Sequence, residues 1–219
     1  MRVLGWIEDL APDLIAIGAD APPAPRWNQD WFPRLDAAAA YAIVRMTRPA
    51  RIVEVGSGHS TRFMARAVRD GSLGTQITAI DPAPRASIGG LNLQSVRQPV
   101  QACPIEQFEW LAPGDILFID SSHQLKPGSD VEFIFEHVLP RLARGVRIHF
   151  HDIFLPDEYP AQWAWRRYNE QAAVAALIGE RYALEFSSHQ AAGGRLNGVL
   201  ARLPLVRGAM ESSLWLSKR

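Results

Sequence analysis

Two short apolar runs in this 219-residue chain end in side chains that titrate. Residues 115–123, Asp-Ile-Leu-Phe-Ile-Asp-Ser-Ser-His, deliver Asp120 at the end of one run and His123 three residues later. Residues 146–152, Val-Arg-Ile-His-Phe-His-Asp, end in His151 and Asp152. An imidazole oriented by a carboxylate can take a proton from a hydroxyl. His123 or His151 can be that base, with Asp120 or Asp152 as the orienting acid. His149 lies deeper in its run and is expected to satisfy neighbouring backbone groups instead.

A third stretch, Ile52-Val-Glu-Val-Gly-Ser-Gly-His-Ser-Thr-Arg62, positions a ligand rather than a proton. A β-branched run reaches a glycine pair, Gly56 and Gly58 around Ser57, and a helix-compatible segment follows from Ser60. Such a turn lets a cofactor approach the backbone, because glycine has no Cβ to hold it off. A dinucleotide would want a third glycine three residues after Gly58, where Thr61 stands, and its pyrophosphate would be repelled by Glu54. S-adenosylmethionine carries a sulfonium and an ammonium and no phosphate, so Glu54 suits it. The next run, Gln76-Ile-Thr-Ala-Ile-Asp81, ends in an acid that can accept hydrogen bonds from both ribose hydroxyls. Chain order puts Cys103, Pro104 and Ile105 nearest the adenine.

These residues need one framework that brings the ends of several strands together. Strands are expected at 51–55, 76–80, 93–97, 115–120 and 146–151, and helices at about 60–70, 105–111, 129–143 and 161–179. Alternation of this kind means βαβ units and a mostly parallel sheet. Two further strand-like runs, 182–188 and 196–202 around Gly193-Gly194, read as an edge hairpin. The sum is a Rossmann-like, doubly wound, seven-stranded sheet with a C-terminal antiparallel hairpin. Residues 1–25 read as an N-terminal helix and Pro-rich spacer, 26–205 as the main domain and 206–219 as a tail. That tail, with Leu214, Trp215 and Leu216, is apolar enough to dock on this chain or on a second copy, which leaves a homo-oligomer open.

Composition narrows the class. Lys plus Arg and Asp plus Glu both number 23, so the basic footprint of a nucleic-acid partner is missing. The single cysteine, Cys103, fits a reducing compartment. No apolar run approaches the ~20 residues of a membrane span, and Glu8, Asp9 and Asp13 interrupt the N-terminal apolar stretch where a signal peptide would need none. A cytoplasmic protein acting on a small-molecule acceptor is the expectation.

The glycine turn resembles the first motif of class I S-adenosylmethionine-dependent methyltransferases, acid-x-Gly-x-Gly-x-Gly, with Ser60 in the last glycine place. Together with Trp31-Phe-x-x-x-Asp36, Phe118-Ile-Asp-Ser-Ser-His123, Gly128-Ser-Asp130 and His149-Phe-His-Asp-Ile-Phe-Leu-Pro156, the chain from Trp27 to Trp165 resembles the methyltransferase domain 24 family. That resemblance implies transfer of a methyl group, with a hydroxyl as the expected acceptor. Glu54, Gly56, Ser57 and Gly58 would hold the methionine part, Asp81 the ribose, and Asp120 would sit against both cofactor and acceptor. It also implies a second mechanism. Related O-methyltransferases hold a divalent cation with an acid after the fourth strand and two ligands after the fifth, which here are Asp120, His151 and Asp152. Imidazole in that set would favour Mn²⁺, Fe²⁺ or Zn²⁺ over Mg²⁺. The rivals are an NAD-dependent oxidoreductase, a noncatalytic protein that binds S-adenosylmethionine, and a metal-dependent hydrolase. Tyr159, Trp163, Trp165, Arg166 and Tyr168, past the fifth strand, can stack on a sugar or aromatic acceptor or pack on the core.

Overall fold

The computed structural model describes residues 2–18 and 21–219; Met1, Ala19 and Asp20, which fall in the expected N-terminal helix, lie outside them. The N-terminal part forms α1 (Arg2–Asp9), α2 (Ala11–Ile15) and α3 (Arg34–Thr47). Then come β1 (Arg51–Val55), α4 (His59–Asp70), β2 (Gln76–Ile80), β3 (Gln94–Val96), α5 (Glu106–Glu109), β4 (Ile116–Ile119), α6 (Asp130–Phe133) and β5 (Arg147–Phe150). The chain closes with α7 (Gln171–Leu177), β6 (Tyr182–Ser187), α8 (Ser188–Ala192) and β7 (Leu214–Lys218).

All seven strands share one sheet, in the order β3-β2-β1-β4-β5-β7-β6. The first five run parallel, and β7 is antiparallel to both β5 and β6. Successive residues of the central strands feed opposite faces, as a period of two demands. Ile52, Ile116 and Phe118 join Trp215 under α1, α3 and α4. Val53, Val55, Leu117 and Ile119 join Phe108, Ile134 and Val174 on the other side. Both faces are covered, so these strands are continuous apolar runs. Ala37 to Ala40 are all fully buried on α3, and side chains that small let the helix lie close to its neighbours.

Three expectations are corrected. Residues 196–202 form turns, not a strand: Val199 and Leu200 are buried because they pack against the N-terminal helices, and the Val199 N–H donates to Glu8. The seventh strand comes from the expected tail, so β6 and β7 are joined by residues 188–213 and not by a tight hairpin at Gly193-Gly194. The helix expected over 161–179 is split into a 3₁₀ segment, Ala161–Arg166, and α7, with Arg167 in the left-handed region between them. Among the described residues no helix is long and apolar enough to cross a membrane.

Candidate active site

Register across the parallel strands aligns their carboxyl ends. Val55 pairs with Ile119, and Ile119 with Phe150. The ladder continues one step further: Asp81 N–H donates to Val96 O, Gly56 N–H to Ile80 O, Asp120 N–H to Val55 O and His151 N–H to Ile119 O, all at 2.9–3.0 Å. Asp81, Gly56, Asp120 and His151 therefore form one row along the sheet's carboxyl edge, where open α/β sheets bind ligands. A cleft of about 880 Å³ opens above that row.

Gly56 fixes the first turn. Its φ is +85°, and a Cβ there would lie 1.8 Å from the carbonyl oxygen of Asp120. The Ser57 N–H and hydroxyl both donate to Asp81 Oδ2, at 2.8 and 3.0 Å, and the Ala83 N–H donates to Oδ1. One carboxylate thus ties the glycine loop to the next strand's end while facing the cleft. Gly56, Ser57, Gly58 and Asp81 all line that cleft. Pro99, Val100 and Gln101 line it as well, and Cys103, Pro104 and Ile105 do not, so the surface left for a base lies a few residues earlier than expected.

Glu54 does not reach the cleft. It is fully buried and accepts the Ser60 hydroxyl on Oε1 and the Thr61 hydroxyl on Oε2, each at 2.6 Å. Burial, only partly offset by those hydroxyls, pushes its pKa up to about 8. Its observed contacts shape the start of α4; it does not face the cleft where a cofactor's cation would lie. The shift gives a sign for stability. From the ordinary carboxylate range up to about 8 the unfolded chain has lost this proton and the folded chain keeps it, so stability falls as pH rises through that window. Glu54→Gln is expected to remove that slope, hold or raise Tm at pH 8 and leave cofactor affinity within about threefold. A larger loss of affinity in calorimetry would mean that the charge itself is read by the cofactor.

Asp120, His123, His151 and Asp152 come together at the other end of the cleft. His123 Nε2 lies 3.4 Å from Asp120 Oδ1 and 3.6 Å from Asp152 Oδ2. His151 Nδ1 lies 3.4 Å from the same Asp120 oxygen and 3.5 Å from Asp152 Oδ1. Behind each ring stands a further carboxylate: Glu170 Oε1 is 2.5 Å from His123 Nδ1, and Asp36 Oδ2 is 3.3 Å from His151 Nε2. Burial alone would lower the proton affinity of both imidazoles, but Glu170 at His123, and Asp152 and Asp120 at His151, raise both well above the ordinary histidine value. Asp120 answers in the opposite sense: burial works upward, yet His151 and His123 hold it far below the usual carboxylate range.

His149 stays apart from this cluster. It is fully buried, stacks on Phe118 at 3.7 Å and contacts the Ser213 hydroxyl at 2.8 Å. Burial, with His151 next to it, keeps it neutral. Its polar contacts are the Ser213 hydroxyl and the Ile119 backbone.

Two contributors were given no role at the site by the sequence, although Asp36 belongs to one of the motifs that carry the resemblance. Asp36 accepts the backbone N–H groups of Ser212 and Ser213, which lead into β7, as well as facing His151. Glu170 is buried at the entry to α7. The segment after β5 adds Trp163, Arg166 and Tyr168 to the wall, with the Arg166 guanidinium 4.0 Å over the Trp163 ring and 3.8 Å from Asp152. On the opposite wall Trp31 is 57% exposed, with Arg85 4.9 Å over its ring, whereas Trp27 and Phe32 are buried in the core.

Asp120, His151 and Asp152 approach one another, yet among the described residues no group of three or more His, Cys, Asp or Glu side chains converges to hold a metal ion. Both nitrogens of His151 face carboxylates, and Asp152 Oδ1 accepts the Ser212 hydroxyl at 3.1 Å. The donors face one another as an ionic cluster, so no step below runs through a metal.

The strand order, the glycine turn at β1 and the acid at the end of β2 define the class I methyltransferase fold. Over the whole chain the fold is similar to the methyltransferase PaMTH1 of Podospora anserina, solved with S-adenosylhomocysteine (16% identity, all of this chain and 86% of that one, TM-score 0.52). It is also similar to cofactor-bound Rv0187 from MTB (12% identity, 99% and 89% covered, TM-score 0.52). The branched-chain polyamine synthase of Thermus thermophilus, bound to 5'-methylthioadenosine, is similar at 13% identity over 95% of this chain and 63% of that one, with TM-score 0.53. No curated protein matches the sequence. Residues 53–153 match the family model Methyltransf_24, described as a methyltransferase domain. The match shows a methyltransferase domain over residues 53–153, and the solved structures show the fold around it.

Proposed function

We propose that this protein is an S-adenosylmethionine-dependent methyltransferase that acts on a hydroxyl of a small-molecule acceptor, by general-base catalysis without a metal. One observation carries the reading: two imidazoles and two carboxylates converge at one end of the cleft whose other end is the glycine turn and Asp81. Asp81 is assigned to the ribose, and Gly56, Ser57 and Gly58 to the methionine part. S-adenosylmethionine supplies an electrophilic methyl on a sulfonium. With it bound, that methyl would go to the acceptor oxygen and S-adenosylhomocysteine would be left, while an imidazole of this site takes the hydroxyl proton. Asp120 and Asp152, both facing the imidazoles, stabilise the imidazolium that results. Trp163, Arg166 and Tyr168 favour a flat acceptor with polar substituents, a phenol or a sugar, because ring and guanidinium faces stack on such groups.

Calorimetric titration with S-adenosylmethionine and S-adenosylhomocysteine, with and without chelator, tests the reading. Both are expected to bind with affinity indifferent to chelator. Asp81→Ala should weaken each at least tenfold, as loss of charge-assisted hydrogen bonds of about 1.5–3 kcal/mol implies. Binding of neither ligand would sink the proposal, and chelator-sensitive turnover would reinstate the metal.

A further inference from the structure

Lys126 and Arg166 both line the cleft, and one glutamine ties them together. The Gln124 amide donates to the Arg166 carbonyl at 3.1 Å, and its oxygen accepts from the Lys126 ammonium at 3.1 Å. Three aromatic rings hold the Arg166 guanidinium, with centroids 4.0 Å (Trp163), 5.4 Å (Trp165) and 5.5 Å (Tyr168) from its carbon. Stacking occupies the plane of a guanidinium and leaves its edge for hydrogen bonds. That edge is scarcely used. Nη1 donates to the Tyr168 hydroxyl at 3.3 Å and lies 3.8 Å from Asp152, and Nε has no partner. Lys126 forms no ion pair among the described residues; its ammonium meets the neutral Gln124 oxygen.

The acids of the cleft are engaged elsewhere. Asp130 accepts the Ser122 N–H at 2.9 Å and the Ser122 hydroxyl, and Asp81 serves Ser57 and Ala83. Asp120 and Asp152 face the two imidazoles, and Asp152 also accepts the Ser212 hydroxyl. Two cations thus remain on one wall with no carboxylate in hydrogen-bond contact among the described residues. An arginine already immobilised by its neighbours loses little rotamer freedom when an anion binds.

We infer that Arg166, with Lys126 beside it, selects an acceptor that carries a carboxylate on its ring: an aromatic hydroxy acid rather than a neutral phenol or sugar. This rests on the methyl-transfer reading above and names the polar substituent that reading leaves open. A planar carboxylate matches the edge of a guanidinium, and the ring bearing it meets the aromatic side chains that hold Arg166. A phosphate dianion fits less well, because Asp120, Asp130 and Asp152 line the same cleft and repel two charges more than one.

Acceptor-sized probes test this without turnover. Full-length protein saturated with S-adenosylhomocysteine is titrated calorimetrically with two matched pairs, para-hydroxybenzoate against phenol and protocatechuate against catechol. The carboxylate of each pair is expected to bind about tenfold or more tightly than its neutral partner. Arg166→Gln should shrink that preference below about threefold in both pairs, and Lys126→Gln should lower it about two- to fivefold. Arg166→Lys should fall between wild type and Arg166→Gln, since it keeps the charge and loses the fork. All three variants should hold S-adenosylhomocysteine within about threefold of wild type, which shows them folded. Equal binding within the pairs, a preference that survives Arg166→Gln, tighter binding of phenyl phosphate than of benzoate, or no binding of either hydroxybenzoate would overturn the assignment. If Arg166→Gln loses S-adenosylhomocysteine, an unchanged preference in both Arg166→Lys and Lys126→Gln overturns it as well. Failure of the wild type itself to bind S-adenosylhomocysteine is a different result, and it strikes the methyl-transfer reading instead.

Discussion

Gly56→Ala is expected to cost the protein about 4 kcal/mol or more, close to the ceiling for a single substitution. The added methyl would sit 1.8 Å from the Asp120 carbonyl oxygen and 2.8 Å from its carbonyl carbon, on backbone rather than on a flexible side chain. At φ +85° an L-residue is disfavoured even without the overlap. Relief requires the turn after β1 to move off the end of β4, which breaks the row that carries Asp81, Gly56, Asp120 and His151. For a chain of this size each kcal/mol is worth about 2–4 °C, so thermal melting should fall by about 8–15 °C, and cofactor binding should go with it. Gly58 is the control. A Cβ there would meet only the Ala86 methyl at 3.9 Å, so Gly58→Ala should melt within a few degrees of wild type. An alanine at 56 that melts like wild type would show that the turn is far softer than its geometry.

His123→Ala is expected to lower kcat by about 10²–10⁴, the usual contribution of a general base, with S-adenosylhomocysteine affinity changed less than threefold. The pH profile supplies an independent check. A base works only after losing its proton, and Glu170, Asp120 and Asp152 together hold His123 well above the ordinary histidine value. Activity in the wild type should therefore rise with pH through a midpoint above 6.5. Stability runs the other way: the paired imidazolium stabilises the fold fully below 6.5, and that contribution is lost as pH rises through the raised pKa. Counting S-adenosylhomocysteine released over a panel of phenols and sugar alcohols, from pH 6 to 10, measures the catalytic limb. A His123→Ala enzyme as active as wild type would remove the histidine from the chemistry.

Much of this architecture was legible in the chain because the central strands are buried on both faces. Ile116 through Ile119 is an unbroken apolar run, and Ile52, Val53 and Val55 form one interrupted only by Glu54; each stops at a residue that lines the cleft. A strand's end is set by local residues, so Asp81, Asp120 and His151 could be placed without knowing the fold. What escaped detection depends on distant pairing. Val199 and Leu200 look like strand residues and are buried in turns, because burial against α1 serves them as well as a ladder would. Leu214-Trp-Leu looks like a loose apolar tail, since nothing local says that two antiparallel neighbours will receive it. Glu54 was misplaced for a related reason. Its position before the glycines is visible, but the hydroxyls of Ser60 and Thr61 compete for its carboxylate and win. Glu170 belongs to no run and no motif; only the fold brings it to His123.

The position of β7 between β5 and β6 has a consequence for synthesis. The sheet cannot be laid down in chain order, because β6 has no neighbour until β7 exists, and residues 188–213 separate them. At roughly 5–20 residues per second the ribosome leaves β6 as an unpaired edge for about 1–5 s. Asp36 waits longer still for Ser212 and Ser213, 176 and 177 residues away, before its carboxylate is satisfied. The carboxylate that backs His151 is thus among the earliest residues made and among the last to find its partners. Until they meet, a nascent chain can carry every residue of the cleft and still lack the assembled ionic cluster.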